Sequence, residues 1–164
     1  MGVMQIFHYT NEPFELEIKK YEEDGLNFFR GKPRGLWVSV EDESFGESNY
    51  NWKEWCEVEK YEVQNLKCKY EIKFKPNANL LILSNYQELK EFTIKYHLLY
   101  DQSFFQQNLI NWHEVIKDYD GILIYPYIWE GRMSVKTQWY YGWDFSSLCI
   151  WDLNCIDSFE LVQE

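Results

Sequence analysis

The sequence has no CxxC pair, no cluster of Lys or Arg and no apolar stretch long enough to cross a bilayer. Without paired cysteines or a Cys/His cluster at zinc spacing, neither a structural zinc site nor a thioredoxin-type redox motif is expected. Without a basic cluster, tight sequence-independent binding to a phosphate backbone is disfavoured, because that binding releases counterions around Lys and Arg. Glycine-rich phosphate loops, GxSxG elbows and HExxH pairs are also missing. The N-terminal residues MGVMQIFHYT carry no apolar core of signal-peptide length. Gly2 is not followed by the Ser or Thr that myristoylation prefers, since Ile6 stands there. Four widely spaced cysteines (Cys56, Cys68, Cys149, Cys155) then suggest reduced thiols in a soluble, cytoplasmic protein with no membrane partner.

What is present is an acidic, aromatic-rich chain of one-domain size. Its 164 residues carry a formal charge of −11, which keeps such a chain soluble or meets a basic partner. At this length roughly 70% of the unfolded surface is buried on folding, so a core forms without disulfide or metal staples. Aromatic residues make up 20% of the chain, with 8 Trp, 13 Tyr and 11 Phe. That exceeds what a core of this size comfortably holds, so some rings are expected to line a groove or pocket.

Periodicity and turn chemistry give an α+β order spanning 1–164 as a single domain. Strands are expected over Val3–Tyr9, Leu36–Val40, Leu80–Leu83, Ile122–Tyr125, Ser147–Trp151 and Phe159–Val162. The strict alternation Cys68–Phe74 marks one more half-buried strand. The KPRG segment, Lys32–Gly35, reads as a turn, with Pro fixing φ and Gly permitting positive φ. Asn51 caps a helix over Trp52–Lys60, Ser84 one running to about Tyr96, and Asn111 one over Trp112–Asp118. Glu15–Asp24 reads as a helical turn or loop, and Glu41–Asn49 as the loop with most freedom to move. Pro126–Asp144 reads as a long loop or irregular hairpin around a site.

The succession of short motifs resembles the histidine-bearing branch of the ADP-ribosyltransferase fold. The carriers are His8-Tyr9-Thr10 ending the first strand, Gly35-Leu36-Trp37-Val38-Ser39 forming the second, and Ile150-Trp151-Asp152-Leu153-Asn154-Cys155-Ile156 near the end. Leu153 stands where that family usually has Pro. The resemblance implies two small packed antiparallel or mixed sheets, a split β-sheet, flanked by short helices. It also implies NAD as substrate in the cleft between them. His8 would hold a ribose hydroxyl, Thr10 a second polar contact, and Trp37 and Ser39 the cleft wall. The family's catalytic Glu is not found at its expected place, which holds Ser147; Asp144 is the nearest carboxylate and Glu130 a more distant one.

The catalytic candidates are therefore His8 and Asp144, and the ligand-binding candidates Tyr9, Thr10, Trp37, Ser39, Tyr140 and Tyr141. Each has a plainer alternative. His8 can be a hydrogen-bonded structural residue, Trp37 a core residue and Asp144 a turn residue after Gly142. Trp139, Tyr140, Tyr141 and Trp143 cannot all face one interior if the segment is extended, so at least one pair is expected in a cleft or in solvent. Arg132 suits a phosphate or a solvated loop. Cys149, in an apolar strand, reads as a small buried hydrophobe. His97 and His113 read as surface residues. The competing function is a non-enzymatic acidic binding or inhibitor module, of phage or immunity type, holding a protein partner with its aromatic-rich loop.

Overall fold

A computed structural model describes residues 4–22, 32–41, 51–97 and 109–163. Strand β1 spans Gln5–Thr10 and β2 spans Leu36–Glu41. Helix α1 (Trp52–Glu59) and a 3-10 turn (Val63–Leu66) lead into β3, Cys68–Phe74. Then come β4 (Leu80–Leu83), α2 (Tyr86–Lys95), α3 (Trp112–Asp118) and β5 (Gly121–Ile124). A short α4 (Trp129–Arg132) and a kinked 3-10 segment (Val135–Gly142) precede β6, Ser147–Ile150. The chain finishes with a 3-10 turn (Leu153–Cys155) and β7, Ile156–Gln163.

The class is α+β, and the strands form one sheet in the order β4-β5-β6-β2-β1-β3-β7. Among the described strands only β4 and β5 run parallel; their connection carries α2 and α3, the kind of crossover a parallel pair requires. The expectation of two separate sheets is corrected here, because β1 and β2 are hydrogen-bonded to each other. That pairing is brief, covering Gln5–Glu41, Ile6–Val40 and Phe7–Ser39. Beyond Phe7, β1 stays with β3 as far as Thr10–Cys68, while β2 stays with β6 as far as Leu36–Ile150. The sheet is thus continuous at one end of this seam and divided at the other.

Both faces of the sheet are covered at its centre, and the strand sequences say why. Every residue of β5 (Gly-Ile-Leu-Ile) and β6 (Ser-Leu-Cys-Ile) is buried, the continuous burial expected of a strand enclosed on both faces. Alternate side chains divide between two cores. Ile122, Ile124 and Cys149 join an aromatic core with Phe92, Trp112 and Trp139. Leu123, Leu148 and Ile150 join an aliphatic one with Ile6, Val38 and Val40. Gly35 is required for close approach: a Cβ there would fall 2.5 Å from the Ile150 carbonyl oxygen.

Several local expectations change. Asn51 caps α1 as expected, its side chain accepting from the Glu54 N–H at 2.9 Å. On α2 the cap is Asn85 rather than Ser84. Asn85 Oδ1 accepts from the Glu88 N–H, and Glu88 Oε1 accepts from the Ser84 N–H, both at 2.9 Å, a reciprocal box one residue further on. Asn111 precedes α3 without a side-chain cap bond. The segment after Pro126 is two short helical turns rather than an irregular hairpin. Residues 15–22 contain neither helix nor strand, apart from a bridge between Lys20 and Asp152. Most of the Glu41–Asn49 loop lies outside the described residues, as do Glu23 and Asp24; Glu41 itself ends β2.

Candidate functional site

The divided end of the seam opens into a cavity of about 500 Å³, within the usual range for small-molecule sites. One wall is the end of β1, from Phe7 to Asn11, and the facing wall is Lys32 with Trp37, Val38 and Ser39 of β2. Trp143, Asp144, Phe145 and Ser147 close it from the segment leading into β6, while Trp52 of α1 and Asn65 of the following 3-10 turn stand at its side. Six sequence candidates therefore converge here: His8, Tyr9, Thr10, Trp37, Ser39 and Asp144.

His8 bridges the two parted strands. Its Nδ1 lies 2.9 Å from the Trp37 carbonyl oxygen, and a carbonyl only accepts, so Nδ1 carries the hydrogen. The ring packs edge-on against Phe14 and beside Phe159. Burial among these groups lowers its pKa below the ordinary 6.5, against a smaller upward pull from the bond to Trp37. At neutral pH the ring is therefore uncharged, with Nε2 an acceptor.

The other polar groups differ in how far they are committed. The Tyr9 hydroxyl donates to Glu41 at 2.7 Å, and burial together with that carboxylate pushes its pKa far upward, so it stays protonated. The Thr10 hydroxyl donates to the Glu12 carbonyl and the Ser147 hydroxyl to the Phe145 carbonyl. Ser39 is fully buried and its hydroxyl has no hydrogen-bond partner, a condition that costs about 1–3 kcal/mol in a folded protein.

Charge in the cavity is sparse. Among the described residues Asp144 is the one carboxylate of the lining, and Lys32 the one ammonium. Asp144 Oδ1 is held at 2.9 Å by Arg132, which also donates to the Tyr127 hydroxyl. Lys32 lies over the Trp37 ring, 5.7 Å from its centroid. Burial lowers its pKa, partly opposed by Asp144.

The aromatic walls are ordered by ring contacts. Trp37 meets Trp143 edge to face at 5.0 Å, and Trp143 continues into the core through Trp112 and Trp139. Two ligand-binding candidates fall elsewhere. Tyr140 is fully buried in the aromatic core, its hydroxyl accepting from the Ile128 N–H. Tyr141 is 56% exposed, outside the cavity, with the Arg132 guanidinium over its ring. Because Val135–Gly142 is a 3-10 segment rather than an extended one, Trp139 and Tyr140 both turn inward, Trp143 just beyond it is buried too, and only Tyr141 is left outside.

Trp143, Phe145, Lys32, Trp52 and Asn65 complete the lining without having been singled out as ligand contacts. For Trp143 the aromatic density of its segment was the available signal; Lys32 and Asn65 had none. Glu130, His97 and His113 are exposed and outside the cavity, and Cys149 is a core residue. All four cysteines are buried. Among the described residues no group of His, Cys, Asp and Glu is arranged to hold a metal ion, and no helix is long and apolar enough to cross a membrane.

The chain matches no protein-family model, and no curated protein or solved structure is significantly similar to it.

Proposed function

We propose that the cleft between β1 and β2 binds NAD or a related ADP-ribose nucleotide, and that Asp144 makes it an ADP-ribosyltransferase-type site. The observation that carries this reading is the parting of the two strands at His8 and Trp37. It falls at the residues that carry the sequence resemblance, within one continuous sheet rather than between two.

The lining fits such a ligand. Flat indole walls suit a nicotinamide or adenine ring, since aromatic faces bind planar heterocycles by offset or edge contact. His8 Nε2, an acceptor while the ring is neutral, suits a ribose hydroxyl. Lys32 supplies the cation that a diphosphate requires.

NAD supplies a ribose–nicotinamide bond that leaves positive charge on the sugar as it breaks. Its electron pair departs with nicotinamide, and an acceptor nucleophile or water bonds the sugar carbon and releases a proton. Asp144 stabilises the developing charge from a fixed position, the electrostatic role a preorganised carboxylate performs best. Arg132 fixes that carboxylate and also offsets part of its charge, so turnover is expected to be slow.

The test is nicotinamide release from NAD by the wild type and by Asp144→Ala. Loss of release in the variant, with NAD still bound, supports Asp144 in this role. Equal release from both proteins removes it.

A further inference from the structure

Among the described residues Lys32 is the one ammonium of the cavity lining, and it sits where a ligand cation would. Its side chain runs past the backbone just ahead of Trp143, with Cε 3.8 Å from where a Cβ on Gly142 would stand. The Nζ lies over the Trp37 indole, and Trp143 meets that indole edge to face. Asp144 also lines the cavity and acts on Lys32 through its charge, while its ion pair goes to Arg132. Lys69 shows the contrast. It too lies over an aromatic ring, Phe7 at 3.9 Å, but it is also paired with Glu41 at 3.7 Å. Among the described residues Lys32 has a ring face and the field of a carboxylate, with no ion pair or hydrogen bond of its own.

That setting suits an ammonium poorly. A lysine head is a compact, strongly hydrated charge whose N–H donors need partners, and an indole face replaces little of that hydration. Burial accordingly holds the Lys32 pKa below its ordinary value. A quaternary nitrogen carries the same charge without any N–H to satisfy, which is why aromatic faces serve as its usual receptors. Asp144, clamped by Arg132 at 2.9 Å, adds attraction that asks no hydrogen bond of the ligand. A guanidinium would bring a fork of donors that walls of indole leave unmet.

We infer that Trp37, Trp143 and Asp144 form a subsite for a quaternary nitrogen cation such as an N-alkylated pyridinium, and that Lys32 fills this subsite in the free protein and gives way to the ligand. Ligands then respond to Lys32 in opposite ways. A bare cation competes with the Lys32 ammonium for the indole. A cation that carries its own phosphate gains the displaced ammonium as a partner. This second half rests on the nucleotide reading, in which pyridinium and diphosphate belong to one molecule; the subsite itself needs no nucleotide.

The experiment titrates the full chain with ring-methylated nicotinamide, a permanent cation, and with nicotinamide, its neutral counterpart of nearly the same shape. Calorimetry and ligand-observed NMR read the binding. The cation is expected to bind about fivefold tighter or more. Lys32→Met keeps the stem and removes the charge, and is expected to tighten the cation roughly three- to tenfold. The same variant is expected to weaken nicotinamide mononucleotide, which adds a phosphate to that ring, by a similar factor. Asp144→Asn keeps the shape and is expected to weaken the cation about two- to fivefold. Lys32→Gln answers the same question if Met disturbs the turn. Equal binding of the cation and the neutral ring, or binding of neither, overturns the proposal. So does a Lys32→Met protein that binds the cation no more tightly than the wild type. Mononucleotide affinity that Lys32→Met leaves unchanged removes the phosphate half. NAD separates this claim from the nucleotide reading: NAD binding without preference for the cation removes the subsite and leaves the cleft. Preference for the cation, sharpened in Lys32→Met, with no NAD binding supports the subsite and removes the nucleotide.

Discussion

Where Gln5, Ile6 and Phe7 face Glu41, Val40 and Ser39, β1 and β2 are joined by backbone hydrogen bonds and backed by the aliphatic core. One residue further, the same two strands follow different neighbours, and the His8 ring reaches the Trp37 carbonyl between them. The joined end is a sheet interior, with Ile6 and Val40 each at most 5% exposed. The parted end trades that packing for a cavity holding a neutral imidazole and, among the described residues, a single carboxylate. Stability and binding chemistry are thus divided along one seam, and substitutions on either side of Phe7 are expected to act differently.

The largest effect on folding belongs to the joined end. Ile6→Ala removes a buried branched side chain between β2 and β3 and is expected to cost about 2–5 kcal/mol, read as a lower urea midpoint at unchanged slope. A loss below about 0.5 kcal/mol, the size of an ordinary surface substitution, would contradict a packed seam.

At the last joined pair, where Ser39 faces Phe7, the sign reverses. Replacing a buried hydroxyl that has no partner among the described residues with Ala removes its desolvation cost, so Ser39→Ala is expected to raise stability by about 1 kcal/mol. A destabilised variant would mean that the hydroxyl is satisfied in the free protein.

How much of this division was legible beforehand depends on the range of each signal. Local patterns gave the elements well: alternation marked Cys68–Phe74, and apolar runs marked Leu80–Leu83 and Ser147–Trp151, the last ending one residue sooner, at Ile150. The cap of α2 was misplaced by one residue because Ser84 and Asn85 both suit the role, and only Asn85 is spaced to reach the Glu88 N–H. For the site, the order of short motifs brought six of eight candidates into one cavity. Tyr140 and Tyr141 were misjudged because an extended chain and a 3-10 turn distribute neighbouring rings differently, and sequence alone did not choose between them. The KPRG segment marked a turn at Lys32 but not what its side chain faces, and Asn65 sits in a 3-10 turn that the sequence reading did not mark.

The smallest expected effect is the pH response of His8. Its folded pKa is depressed below 6.5, so the unfolded chain binds the proton more readily as pH falls. Stability from this group is fully present above 6.5 and declines below it, toward the folded pKa. Urea unfolding between pH 7.5 and 5.5 is expected to show a decline that is shallower in His8→Gln. Equal slopes in both proteins would mean that the ring is not buried as described.

Calorimetric titration of NAD into the wild type and into His8→Ala tests the central claim most directly. Micromolar binding to the wild type that the variant loses by at least tenfold, with both proteins equally folded, is the predicted result. An absence of heat with the wild type, or equal affinity in the two, would contradict a nucleotide cleft at the parted end of the seam.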